Sequence, residues 1–194
     1  VSIVHFVTNR CNARCSFCFI DFDDPKTFTK ELSLNEIDLL TTKLGKSLLN
    51  VNLTGGEPFA RKDLVDIAKK YITNSTIQSL YITTNASLPD RIKNFAEQVY
   101  KFDSQVEQTF QISIDDLPEN HNKVRKIKNL FDSCIESYRL LKNMASNINP
   151  VVSITVTHEN CDNIKNIFNF LHQDCGVDSI KCTLVRDEGV YKTP

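Results

Sequence analysis

Apolar positions along the chain recur with two different periods. Short runs rich in β-branched residues mark strand candidates at Ile3 to Thr8, Leu48 to Thr54, Ser79 to Thr84, Thr109 to Ile114, Val151 to Thr157 and Ser179 to Val185. Between them the spacing becomes helical. It gives core-facing sets Ile37, Leu40, Leu44; Leu64, Ile67, Ala68, Tyr71; Ile92, Phe95, Ala96, Val99; Leu130, Cys134, Tyr138, Leu141; and Ile164, Ile167, Phe168, Leu171. Ser33 with Glu36 reads as a capping box, and Pro89 stands where a first helical residue belongs. The pattern is thus strand then helix five times, closed by a sixth strand. Such alternation predicts an α/β domain with a parallel sheet, right-handed crossovers and helices on its outer face. Curled, six strands make a partial barrel; left open, they make a doubly wound sheet. The pattern fits both.

Length limits the choice further. At about 30 residues per strand-plus-helix unit, 194 residues hold about six units, too few for a closed eight-fold barrel of about 250 residues. The 41% hydrophobic and 24% charged fractions suit one soluble domain over residues 1–194, and 23 basic against 24 acidic residues give no polyanion-binding character. The longest apolar run, Phe17 to Ile20, cannot cross a membrane, so neither nucleic acid nor membrane is expected as a partner. An odd count of seven cysteines, three of them bunched, predicts reduced thiols and a cytoplasmic location rather than a secreted disulfide framework. The first residue is Val, which fits a domain trimmed from a longer chain.

The bunched cysteines follow the first strand as Cys11-Asn12-Ala13-Arg14-Cys15-Ser16-Phe17-Cys18. At the cysteine density of this chain, both spacings arise by chance in under roughly one case in a hundred. Three thiolates on one short loop can converge on a metal or cluster. A [4Fe-4S] cluster usually takes four cysteines, so three ligands leave one iron to hold something else. Zinc would need a fourth ligand, such as His5 or a remote cysteine.

This loop, with Phe17 before its last cysteine, resembles the signature of the radical SAM enzymes. Gly55-Gly56-Glu57-Pro58, after the second strand, resembles that family's Gly-Gly-Glu-Pro motif, and Ser113-Ile114-Asp115 its Ser-x-Asp pattern. His121 and Arg125 fall in a stretch similar to the His-Asp-x-x-Arg of the subgroup that includes peptide-modifying members, with Asn122 in place of Asp. Thr155 to Asn160 is similar to the subgroup's fifth strand-to-helix turn. The resemblance implies a partial (β/α)6 TIM-type barrel of parallel strands with outer helices, open on one side. It implies two cofactors, a [4Fe-4S] cluster and S-adenosyl-L-methionine, and an external one-electron donor such as flavodoxin or ferredoxin. Reductive cleavage of S-adenosylmethionine would give a 5′-deoxyadenosyl radical that takes hydrogen from a substrate. Peptides or other bulky molecules are the substrates the subgroup suggests.

By the same resemblance, Cys11, Cys15 and Cys18 ligate the cluster, and Phe17, Gly55, Gly56, Glu57, Asn85, Ser113, Asp115 and Arg125 bind the cofactor. Each has a reading from its own chemistry as well. The glycines let backbone approach the methionine portion closely. Glu57 can accept from an ammonium or complement a helix N-terminus, and Phe17 can meet the adenine or pack the core. Ser113 and Asp115, two apart, are expected on one face of a strand, near the ribose or the substrate. Asn85 can bond the ribose or close a turn. Arg125 can pair with the cofactor carboxylate or sit on a solvated helix face. Asn160 is read as a helix cap, Arg186 as a carboxylate or substrate contact, and His121 is given no role. Cys134, Cys161, Cys175 and Cys182 lack a paired short spacing; Cys134 on a helix stripe and Cys182 inside a strand are expected to be buried. The rival from another class is a non-catalytic iron-sulfur or zinc-binding module.

Overall fold

Burial along the strands decides the architecture. On one face, Val7, Val51, Leu53, Leu80, Ile82, Phe110, Ile112, Val152 and Ile154 are fully buried. On the other, Asn52, Thr54, Tyr81, Thr83, Gln111, Ser113, Ser153 and Thr155 alternate with them. The computed structural model describes residues 1–28 and 31–186. Its strands β1 (Ser2–Thr8), β2 (Asn50–Gly55), β3 (Ser79–Thr84), β4 (Glu107–Ser113), β5 (Ile148–Val156) and β6 (Ile180–Leu184) form one sheet in chain order. Every neighbouring pair is parallel. The helices are α1 (Leu34–Leu44), α2 (Leu64–Asn74), α3 (Pro89–Phe102), α4 (Pro118–Arg125), α5 (Leu130–Lys142) and α6 (Ile164–Asn169).

The apolar strand face packs against the helix stripes. Phe59, Phe95 and Phe110 form one aromatic cluster at centroid separations of 5.6 to 6.5 Å. Each fully buried large side chain contributes roughly 1.5–3 kcal/mol through removal from water. The polar face lines a concave lumen. Lys181 Nζ on β6 donates to the Tyr81 hydroxyl on β3 at 2.8 Å, across strands that a flat sheet would hold about 14 Å apart. The sheet is therefore curled into a partial (β/α)6 TIM-type barrel, and β1 and β6 do not pair with each other among the described residues.

Both start signals hold. Ser33 and Glu36 make a reciprocal capping box, and α3 begins at Pro89. Four details differ. A short extra helix, α4, precedes α5; its buried residues are His121 and Arg125, so it carries no apolar stripe for periodicity to find. Strand β5 starts three residues early and contains Pro150, which pairs only with Phe110 because β6 joins from Val152 onward, so its missing N–H breaks no ladder bond to β6. Phe168, expected in the core, is 43% exposed and stacks on His172 while Ile167 and Leu171 turn inward. Cys182 is exposed rather than buried, because β6 is an edge strand with no helix over it among the described residues.

His5 sits on the helix side of β1, where its Nδ1 lies 3.0 Å from the Tyr71 hydroxyl. Burial, reinforced by the Arg61 charge, pushes its pKa down to about 4. The unfolded chain binds this proton near pH 6.5 and the folded chain only near 4, so His5 costs stability progressively as pH falls through that window. In urea titrations at pH 7 and pH 5, a His5→Gln variant is expected to lose less stability on acidification than the parent, by up to about 1.4 kcal/mol per pH unit. Equal losses would show that the ring protonates in place.

Candidate active site

All six strands point their carboxyl ends at one rim, and the chain's polar features collect there as a parallel α/β topology requires. A cavity of about 330 Å³ opens at this rim. Its wall includes Cys11, Cys15 and Cys18 from the loop after β1, Gly55 at the end of β2 and Gly56 just past it, Asn85 after β3, Ser113 on β4 and Arg125 on α4. Phe17 lines it too, with the Arg125 guanidinium 5.8 Å from its ring centre. Arg186 also reaches this wall.

The cysteine loop is held by backbone bonds. Gly56 N donates to Thr8 O at 2.7 Å, Glu57 N to Arg10 O at 2.8 Å, and Arg14 N to Arg125 O at 3.1 Å. A Cβ on Gly55 would meet Thr8 O at 2.0 Å, and one on Gly56 would meet Arg10 O at 2.3 Å. The space those glycines leave open is therefore filled by the start of the cysteine loop, which is their structural reason to be glycine. Gly55 is further committed by a φ of 141°. The Arg14 side chain donates to Cys11 O and Ala13 O, both at 2.7 Å, closing the loop on itself.

Two expected cofactor contacts stand behind the wall instead of in it. Glu57 is 1% exposed. Its carboxylate accepts from Phe59 N at 3.1 Å, the Thr84 hydroxyl at 2.8 Å and Asn85 N at 2.7 Å. Burial raises its pKa while these three donors oppose the rise. Asn85 then extends the chain of contacts, its Nδ2 donating to Asn12 Oδ1 at 2.9 Å and approaching Cys11 Sγ at 3.7 Å. Its Oδ1 accepts from Ser87 N at 3.0 Å, so it closes a turn and lines the cavity at once.

Asp115 lies beyond the end of β4 and is 2% exposed. It accepts from Arg125 Nε at 2.7 Å and from Thr155 N at 3.1 Å. Arg125 is thereby a buried cation fixed from behind, rather than part of a solvated helix face. His121 Nδ1 accepts from Asp115 N at 3.2 Å. Its pKa is driven down to about 3 by burial and the Arg125 charge, so the ring is neutral. Asn160 caps no helix. Its Nδ2 donates to Asp115 O and Thr155 O, both at 2.8 Å, and its Oδ1 accepts from Thr157 N, stapling the end of β5 to the turn after β4.

The donor set suits a cluster. Three thiols share one wall, while Cys134 is buried behind Asn85, donating to its carbonyl at 3.3 Å. Burial raises the Cys11 pKa to about 11 and raises those of Cys15 and Cys18, the last two against the pull of Arg125. Metal binding would displace those protons. Among the described residues, no three His, Cys, Asp or Glu side chains converge on a single ion. His5, the nearby fourth ligand a zinc site would need, is engaged with Tyr71 in the helix-side core.

The sequence profile of the Radical SAM superfamily matches residues 6–171. The chain belongs to that superfamily. Its members are enzymes, and its cofactors are a [4Fe-4S] cluster and S-adenosyl-L-methionine. A GTP 3′,8-cyclase of Clostridium perfringens is 27% identical over 172 residues, covering 87% of this chain and 50% of its own. The chain thus spans about half the length of the curated relatives it matches first. Among solved structures, anSMEcpe with bound AdoMet superposes with a TM-score of 0.71 at 17% identity, covering 95% of this chain and 52% of its own. Streptococcus suis SuiB bound to the precursor peptide SuiA gives 0.68 at 15% identity, covering 100% and 41%. Both likenesses concern the fold. Among the described residues, no helix is long and apolar enough to cross a membrane.

Sequence reasoning did not find Thr84, Asn12, Gln111 or Ser153. For Thr84, Gln111 and Ser153 the signal was present as polar residues alternating with apolar ones along the strands, and for Asn12 as its place between Cys11 and Cys15.

Glu57 provides a direct check on this geometry. Replacing it with Gln sets an N–H against the Asn85 N–H, so the cluster-free variant is expected to lose about 1–3 kcal/mol in chemical denaturation. A carboxylate whose only role was to meet a cofactor would leave the cluster-free chain unchanged.

Proposed function

We propose that residues 1–194 form the core domain of a radical SAM enzyme that activates a C–H bond of its substrate. The carrying observation is that three thiols, two glycines and the buried Arg125 line one cavity at the carboxyl rim. Cys11, Cys15 and Cys18 are the residues to hold the cluster. When bound, the cluster would supply the one electron that breaks the carbon-sulfur bond of S-adenosylmethionine, releasing methionine and a 5′-deoxyadenosyl radical that becomes 5′-deoxyadenosine by taking a hydrogen atom from the substrate.

The chain's own residues supply position and charge. Arg125 uses Nε on Asp115 and also lines the cavity, where its guanidinium can pair with the cofactor carboxylate. Gly55, Gly56 and Asn85 offer the backbone and amide groups nearest the cysteines, Ser113 a hydroxyl for the ribose, and Phe17 an apolar surface for the adenine. Glu57 and Asp115 serve as positioning residues, the first holding Thr84 and Asn85, the second holding Arg125. The gap between β1 and β6 and the SuiB likeness favour a peptide or other bulky substrate entering from the side. The electron would come from a flavodoxin or ferredoxin, in the reducing cytoplasm that seven unpaired cysteines suit.

After anaerobic reconstitution the chain is expected to hold one [4Fe-4S] cluster and, once reduced with dithionite, to release 5′-deoxyadenosine from S-adenosylmethionine. Cys15→Ala is expected to abolish both, read by iron and sulfide analysis and by chromatography of products. Zinc in place of iron, or a cluster whose electron paramagnetic resonance spectrum ignores S-adenosylmethionine, would replace this reading with that of a non-catalytic module.

A further inference from the structure

The lumen carries a cation that forms no ion pair among the described residues. Lys181, on β6, is half-buried; its Nζ donates to the Tyr81 hydroxyl at 2.8 Å and lies 5.1 Å from that ring's centre. The Tyr81 hydroxyl in turn donates to Gln111 Oε1 at 3.0 Å, and Gln111 lines the cavity. None of the ion pairs among the described residues includes Lys181. By sheet register Lys181 stands in one row with Ser153 and Ser113, both on the cavity wall. Beside Tyr81 in register, Asn52 has a side-chain oxygen that is buried without a donor. Beside Tyr81 the lumen thus holds, among the described residues, an ammonium without an ionic partner and an amide oxygen without a donor, both available to a ligand.

We propose that Lys181, oriented by Tyr81 and Gln111, recognises a carboxylate of the substrate at the floor of the lumen. The inference rests on the radical SAM reading and adds a substrate feature to it. One ammonium with neutral hydroxyls around it matches a single negative charge. A phosphate dianion would call for a second cation at the floor. The Tyr81 bond uses one of the three ammonium donors and leaves two for a ligand. A carboxylate held there and a cofactor held by Arg125 at the rim would place the substrate between floor and rim.

The test uses the full, cluster-loaded chain and three small probes, acetate, acetamide and inorganic phosphate, followed by ligand-observed saturation-transfer NMR. Acetate is expected to bind saturably and acetamide at least about tenfold more weakly, since only acetate brings a charge for the ammonium to pair with. Lys181→Met is expected to weaken acetate by a similar factor and Lys181→Arg to restore most of it. Acetate binding that Lys181→Met leaves unchanged overturns the proposal, as does equal binding of acetamide. Phosphate displacing acetate at lower concentration overturns the choice of a carboxylate, and loss of S-adenosylmethionine binding in Lys181→Met would assign the residue to the cofactor. A parent chain that binds acetate at Lys181 but releases no 5′-deoxyadenosine refutes the radical SAM reading alone.

Discussion

A carboxylate withdrawn from water needs donors, and the arrangement of the rim follows from where Glu57 finds them. Its two oxygens are met from the turn after β2 and from the end of β3, so two neighbouring strands cannot shift against each other without leaving a buried charge unsatisfied. Asn85 is held by the same carboxylate and passes its own amide to the cysteine loop. Through one acidic residue, the position of β3 is communicated to Cys11. A second buried carboxylate, Asp115, does the equivalent service for Arg125 and the last residues of β5.

These two acids also explain what the sequence made legible. Strand and helix order followed from periodicity because every helix but α4 buries an apolar stripe, and the cysteine and glycine motifs stood out because their spacing is local. α4 escaped because its two buried residues are polar. The burial of Glu57 and Asp115 and their hydrogen bonds within the protein escaped because a motif gives residue identity and neighbourhood without saying which side of a wall a side chain occupies. Cys182 was misjudged for a related reason: strand composition looks the same at an edge as in the middle, and only the sheet order says which strand lacks a cover.

The lumen carries a similar lesson. A closed parallel barrel fills its interior with branched apolar side chains, whereas here Thr83, Gln111, Ser153 and Thr155 face inward. The sheet keeps its stability on the outer, helix-covered face and spends the inner one on polar groups. That division allows a hollow to exist without a cavity penalty in the apolar core.

The loop's attachment has an evolutionary side. Its three anchoring bonds, from Gly56, Glu57 and Arg14, run from main-chain nitrogen to main-chain oxygen, so side-chain replacement at Thr8, Arg10 or Arg125 leaves the acceptors in place. What the attachment demands of sequence is chiefly the missing Cβ at two glycines. A loop anchored in this way tolerates wide change in side chains, in keeping with a fold shared with anSMEcpe at 17% identity.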